Sequence, residues 1–457
     1  MNPDAPKKHD KAQRRDQLLA SLKGRLHRAS DLLGTTESGR PTGPPLSLDA
    51  IYPGVEVRSN SAGEFAFIKT EYRFGDQPEN RGFRFPFHHL VESINLKRAA
   101  FLGTDPEVGG LSLSELAFVD TETTGLAGGT GTYAFLIGVG YFRKGGFTVE
   151  QYFMEDYCNE PALIEALRQR MKKFEGLVTY NGKAFDVPLL RSRFIFNRTP
   201  SVWELPHFDL LGPCRRIFRR RLGQCNLGSV ESSVLGVRRE SDVDGAVIPS
   251  IYFDYIRGLR RERMIPVLDH NVQDILSIGS LLCYLSDFVQ CYEHERFPHA
   301  EDLMGLARLH ELRGELSEAR RCLEHAVGRA REGDQSLVAG LQLGRLFKKA
   351  AEWEKAIEVW GELCRHSPLQ TLEPYIELAK YYEHRARETQ KAKMVVERAL
   401  ERLRSEQELR SYLDDWESKE TTGQQEALAH RLDRLQRRLE KKGLAVSEEL
   451  DEEERQE

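Results

Sequence analysis

Sulfur is scarce in this chain, and none of it is arranged for binding. Seven cysteines and six methionines are spread over 457 residues. No two cysteines form a Cys-x-x-Cys pair, so no zinc site is legible, and the odd count suits free thiols in a reducing cytoplasm. A dominant sign of charge is also missing: 66 Lys and Arg stand against 71 Asp and Glu, a formal net charge of −5. That balance neither demands nor excludes a nucleic-acid partner, so the local distribution of charge has to decide. Long apolar runs are lacking too. The longest strongly apolar stretch, around Ala134 to Phe142, is far shorter than the roughly 20 residues a membrane-spanning helix needs. The first thirty residues carry charges throughout and no apolar core of a secretory signal. These absences lead us to expect a soluble, cytoplasmic protein without membrane association.

What is present divides the chain into five stretches. Length alone favours two or three domains. Residues 1–48 form a basic arm (Lys7, Lys8, Lys11, Arg14, Arg15) that ends in a Pro/Gly/Ser-rich segment, with a helix expected over Lys11 to Leu33. Residues 49–111 alternate like short strands at Gly54–Val57 and Phe65–Ile68 and read as a small β-rich lead-in. Over 112–292 the pattern is α/β. Strands are expected at Leu116–Val119, Tyr133–Phe142, Phe147–Phe153, Leu177–Tyr180 and Pro206–Leu210, helices at Pro161–Phe174 and Phe185–Phe196, and a last long helix from Pro266 to Cys291. Three meandering strands, then helix, strand, helix, strand, is the chain order of a ribonuclease H fold built on a mixed five-stranded sheet.

Over 298–405 the chain repeats itself. Ala307 and Ala319 are matched by Gly344 and Ala356, then by Ala379 and Ala392, the second-helix alanines lying 37 and 36 residues apart. Small residues spaced this way let antiparallel helices pack closely, which is the logic of tetratricopeptide repeats, with a generic helical bundle as the alternative. Residues 406–457 are highly charged. They carry the stripe Leu428, Leu432, Leu435 and Leu439 and an acidic end, and read as a solenoid cap or a weak coiled coil.

Chemistry gathers on acids in the α/β stretch. Asp120 and Glu122 stand at the C-terminal end of the first strand, where alternation sends both carboxylates to one side. Asp186 closes Asn181-Gly-Lys-Ala-Phe-Asp at the start of a helix, where N-capping is the rival explanation. His270 and Asp274 share one face of a later helix, as an ordinary surface pair also would. Carboxylates on separate rigid elements suit hard divalent cations, and a pair of such cations can clamp a phosphodiester. Gly128-Gly129-Thr130-Gly131 lacks the Gly-Lys-Ser/Thr ending of a P-loop and reads as a turn between strands.

The quartet Asp120, Glu122, Asp186 and Asp274 resembles that of the DEDD superfamily of 3′→5′ exonucleases, over roughly residues 112–290. A closer likeness lies in Phe208-Asp209-Leu210, Cys225-Asn226-Leu227-Gly228-Ser229-Val230-Glu231, Ile248-Pro249, Tyr252-Phe253-Asp254-Tyr255 and His270-Asn271-x-x-Asp274-Ile275-Leu276-Ser277. These strings resemble the YprB-type ribonuclease H-like proteins, some of which carry a tetratricopeptide region behind the nuclease-like domain. The resemblance implies that the four acids hold two Mg²⁺ or Mn²⁺ ions about 3.5–4 Å apart and that the substrate is the 3′ end of single-stranded DNA or RNA. His270 departs from the superfamily pattern, having the spacing of its tyrosine type and the chemistry of its histidine type. Imidazole can take a proton from water near neutral pH, so a general base is one reading of His270; orienting a metal-bound water, or a structural hydrogen bond, is the other.

Thr123, Gly125 and Asn181 are placed to touch the last nucleotide or the scissile phosphate, and Lys183, Arg215, Arg216 and Arg219 are candidate phosphate contacts. The run Arg215, Arg216, Arg219, Arg220 and Arg221, with Phe218 and Leu222 as apolar anchors, is equally well a solvated helix face. Two functions follow: a metal-dependent exonuclease whose repeats dock a protein or guide substrate, or a non-catalytic nucleic-acid binder or scaffold working through its repeats. The intact quartet favours the enzyme, since clustered carboxylates are destabilising without cations.

Overall fold

The structure is a computed structural model. It describes residues 48–74, 88–103, 105–125, 131–239, 242–330, 334–366, 371–411 and 419–453. The helix expected over Lys11–Leu33 and the turn residues Gly128, Gly129 and Thr130 lie outside the described residues.

A single mixed sheet organises the first part of the chain. Its strands are β1 (Val55–Asn60), β2 (Gly63–Arg73), β3 (Leu116–Thr123), β4 (Ala134–Arg143), β5 (Gly146–Phe153), β6 (Gly176–Thr179) and β7 (His207–Asp209). Their spatial order is β1-β2-β5-β4-β3-β6-β7. β3, β6 and β7 run parallel and the other pairings are antiparallel. The sheet therefore has seven strands rather than the expected five. The cause is the β1–β2 hairpin, which pairs along β5 from Ala66–Phe153 to Arg73–Gly146 and so extends the sheet instead of standing apart from it. Gly145 takes a φ of +71° in the β4–β5 turn, a conformation that needs no Cβ.

Helices of eight residues or more follow the expected order: α1 (Glu160–Met171), α2 (Asp186–Phe196), α3 (Leu211–Leu222), α4 (Ile248–Ile256) and α5 (Met264–Cys291). Helix α5 is apolar and long enough to cross a bilayer by length and composition, but 89% of its most apolar window is buried inside the protein, as in the core helix of a globular domain. Two glycines let α5 lie directly on β4. A Cβ at Gly138 would stand 2.4 Å from Asn271 Oδ1, and one at Gly140 would stand 2.3 Å from Ile275 Cγ2. Glycines two apart on the strand thus receive side chains four apart on the helix, which fixes the depth and rotation of α5.

Behind these come α6 (Ala300–Leu312), α7 (Leu316–Arg329), α8 (Asp334–Lys349), α9 (Trp353–His366), α10 (Glu373–Lys380), α11 (Thr389–Ser411) and α12 (Lys419–Glu453). This all-helical region buries the small residues singled out in the sequence: Ala307, Ala319, Ala356, Ala379 and Ala392 are all at or near zero exposure. At Gly344 a Cβ would meet Trp360 Nε1 at 2.3 Å, so close helix approach is what that glycine permits. Leu428 and Leu435 of the α12 stripe are buried as well. By internal contacts the chain divides into two compact units, the second made of Pro213–Cys225 and Phe288–Glu457. Most of the arginine helix α3 thus belongs with the helical region.

The seat of α5 is testable. Gly138→Ala is expected to cost about 1–3 kcal/mol through overpacking against Asn271, read as a lower denaturant midpoint at unchanged slope. An unaltered midpoint would mean that α5 does not depend on this contact.

Candidate active site

The site grows from one row of the sheet. In register, Asp120 on β3 faces Gly138 on β4, and Gly138 faces Gln151 on β5. Because Gly138 has no side chain, Asn271 of α5 settles over it and spans the row. Asn271 donates through Nδ2 to Asp120 Oδ2 at 2.9 Å, and its Oδ1 accepts from Gln151 Nε2 at 3.1 Å. The same Gln151 amide donates to the Leu268 carbonyl at 2.9 Å. Asn271 and Gln151 are fully buried and hold both the first acid and the helix that carries the last.

The residues on either side of that row on α5 then face Glu122. His270 Nε2 lies 3.8 Å from Glu122 Oε1 and 3.5 Å from Asp274 Oδ2. Among the described residues, Glu122, His270 and Asp274 form the candidate metal-binding group, with ligand atoms all within 4.8 Å of one another. One imidazole and two carboxylates suit a divalent cation of hard to borderline character. Asp120 stands beside this trio on its Asn271 hydrogen bond. Asp186 reaches it from the first turn of α2, accepting from Thr121 Oγ1 at 2.5 Å. All five acid and base candidates are therefore brought together, though only three supply the compact ligand set.

Their electrostatics are those of a site short of positive charge. Burial first, then Asp274, Asp186 and Glu122, push the Asp120 carboxyl well above the usual range. Burial, Asp274 and Asp186 do the same to Glu122. Burial raises Asp186 to about 6, against the lowering effect of its Thr121 hydrogen bond.

Three neighbours of this cluster have roles that the sequence does not indicate. Arg239 pairs with Asp274 and with Glu231, whose oxygens it engages at 2.6 and 2.8 Å. His270 Nδ1 lies 2.6 Å from Asp242 Oδ1, closer than its 3.0 Å to Arg239 Nη1. The shorter contact favours the proton on Nδ1, donated to the carboxylate, which leaves the Nε2 lone pair toward Glu122 and Asp274. Glu231 and Asn271 lie within strings noted in the sequence, but nothing there indicates their roles. Arg239 and Asp242 sit in loop sequence without pattern.

The other expected contacts are placed as follows. Asn181 is exposed in the left-handed region (φ +69°), and Lys183 is exposed. Asp209 pins their loop by accepting from the backbone N–H groups of Asn181 and Lys183 at 2.8 and 3.0 Å. Thr123 is buried, with its hydroxyl donated to the Gly125 carbonyl at 2.9 Å. Arg215, Arg216, Arg219 and Arg220 are exposed on α3 in the second unit, while Arg221 is committed to Asp302 at 2.8 Å. Tyr252, from another string noted in the sequence, stacks on Phe135 at 4.0 Å and serves packing.

Comparison with known proteins agrees with this geometry. The RNase_H superfamily profile matches residues 117–286. The uncharacterized protein YprB of Bacillus subtilis (strain 168) is 34% identical over 325 residues, covering 69% of this chain and 76% of its own length. The chain belongs to the YprB family. It carries the ribonuclease H-like, nuclease-like domain that the superfamily match marks, followed in this YprB-family member by an all-helical region. A solved family B DNA polymerase from Pyrobaculum calidifontis is similar at 16% identity and a TM-score of 0.32, over 48% of this chain and 31% of the polymerase. Ribonuclease H-like nucleases typically use divalent metals, and the donor set at Glu122, His270 and Asp274 fits one.

The raised carboxyls set a pH dependence. Asp186, Asp120 and Glu122 bind protons more tightly folded than unfolded, so they contribute stability at low pH that is lost as pH rises through their folded values. In EDTA the melting temperature is expected to rise as pH falls from 8 toward 6. Asp186→Asn, which removes a charge that raises both Asp120 and Glu122, should flatten that slope. Equal slopes in the two proteins would contradict the charge shortage.

Proposed function

We propose that this protein is a metal-dependent nuclease that shortens single-stranded nucleic acid from its 3′ end. The observation that carries the reading is the convergence of Asp120, Glu122, Asp186, His270 and Asp274 on a ribonuclease H-like sheet, with three of the acids driven toward protonation. Asp120, Glu122, Asp186 and Asp274 would hold two Mg²⁺ or Mn²⁺ ions, which when bound supply Lewis acidity at both the attacked phosphate and the departing oxygen. His270, oriented by Asp242, accepts or steers the proton of the attacking water at Nε2. Asn181 and Gly125 position the terminal nucleotide, and Thr123 shapes that wall through its bond to Gly125. Lys183 contacts phosphate in the first unit, and Arg215, Arg216 and Arg219 are phosphate contacts of the second. The helical region acts as a tetratricopeptide-like platform for a protein partner or for substrate. The protein works in the reducing cytoplasm, with its seven cysteines as free thiols.

A second reading has one observation behind it. Arg239 already neutralises Asp274 without a cation, as a non-catalytic nucleic-acid binder that kept the fold would also require.

End-labelled single-stranded DNA and RNA, incubated with Mn²⁺, Mg²⁺ or EDTA, separate the two. Metal-dependent shortening from the 3′ end is expected, with the preferred polymer naming the class. Asp120→Asn should abolish it, and His270→Ala should slow it by about 10²-fold or more. Binding of both polymers without cleavage in any metal would leave only the second reading.

A further inference from the structure

Among the described residues, Arg239 is the arginine built into this acid-rich site. Its guanidinium is largely buried and faces three carboxylates. Nε and Nη2 fork onto Glu231, Nη2 also meets Asp274, and Nη1 reaches Asp242 at 3.3 Å. The anchor is Glu231, whose side chain is only 2% exposed and forms its ion pair with this arginine. A widened helical turn at Glu231–Leu235, closed by Gly236 at φ +67°, brings the chain back so that Arg239 can make that fork. A buried fork of this kind is rigid and costly to break on the Glu231 side. On the Asp274 side it involves a carboxylate that a metal also needs.

We propose that Arg239 is a displaceable counter-ion of Asp274: it holds the acid in the cation-free protein and competes with a divalent cation for it. The inference rests on the reading of Asp274 as a metal ligand. Two consequences follow from charge alone. A cation entering at Glu122, His270 and Asp274 meets Oδ2, which faces His270 Nε2 at 3.5 Å, and parts Oδ1 from Arg239 when it takes both oxygens, while Glu231 retains the guanidinium. It must also bind against a positive charge held a few ångströms away, which weakens binding and keeps the ion exchangeable. The freed Nη2 donor is then available at the site to a phosphate oxygen of the substrate.

Mn²⁺ binding measured by calorimetry tests this without reference to activity. Relative to the wild type, Arg239→Gln is expected to bind Mn²⁺ at least about tenfold more tightly, and Asp274→Asn to lose binding. Because Arg239→Gln leaves Glu231 buried and unpaired, Glu231→Gln/Arg239→Gln is the companion variant. It removes both charges and leaves no unpaired buried ion, and it should also tighten binding, by less than the single variant. In the wild type, Mg²⁺ titration should shift the ¹⁵N side-chain resonances of Arg239. If Asp274→Asn binds Mn²⁺ as the wild type does, the metal-ligand reading itself fails. If Asp274→Asn loses binding but the arginine variants bind no tighter, or Mg²⁺ binds without moving Arg239, the counter-ion role is overturned and the metal site stands.

Discussion

Repulsion among buried carboxylates is the constraint around which this protein is built. Asp120, Glu122, Asp186 and Asp274 are drawn from two strand positions and two helices into one partly dry volume, where burial and the neighbouring carboxylates raise the proton affinity of Asp120 and Glu122, and burial raises that of Asp186. Such a cluster is held only by elements too rigid to move apart. The sheet supplies two of the acids on β3, and α5 supplies the fourth by lying directly on β4 at Gly138 and Gly140. The protein answers the repulsion in part, with a neutral amide at Asp120, a hydroxyl at Asp186 and a guanidinium at Asp274. Glu122 has no such hydrogen-bond donor among the described residues, and it faces the imidazole.

That asymmetry explains why Asn271 matters as much to the site as the acids do. Its amide nitrogen donates to Asp120 and its amide oxygen accepts from Gln151, so both ends are used across a row of three strands. An aspartate there would add a fifth negative charge, and a leucine would leave Gln151 and Asp120 without their partner. The glycine beneath it is equally specific, since any Cβ would fall inside the Asn271 amide. A buried polar link of this kind fixes the rotation of α5, and the rotation in turn decides that His270 and Asp274 face Glu122.

Much of this was legible in the sequence where local patterns carry it. Apolar strands ending in acids, the helix opening at Asp186 and the i, i+4 spacing of His270 and Asp274 are one-dimensional signals, and the structure places each where its pattern implies. The strand count was not legible, because a hairpin’s pattern shows that it pairs but not which edge it joins; Ala66–Arg73 found β5. Arg239 was illegible for a related reason. Its partners Glu231, Asp242 and Asp274 are 8, 3 and 35 residues away, with no periodic element linking them. Gly138 reads in sequence as a weak spot within a strand, and only the approach of α5 reveals what it is for.

Charge satisfaction also separates structural from chemical residues elsewhere in the chain. In the second unit, buried Asp302 receives Arg221, and buried Glu383 receives Arg431 and Arg434, so each interior acid has a guanidinium partner. Those arginines serve the helical packing, and Arg221 leaves the run on α3 for that reason. Arg215, Arg219 and Arg220 remain on the exposed face of the same helix without an ion pair among the described residues. Stability alone would neither cluster unpaired cations on one surface nor crowd under-compensated anions in another unit’s interior. The two departures have opposite sign: cations stand exposed on one unit, and under-compensated acids gather in the other.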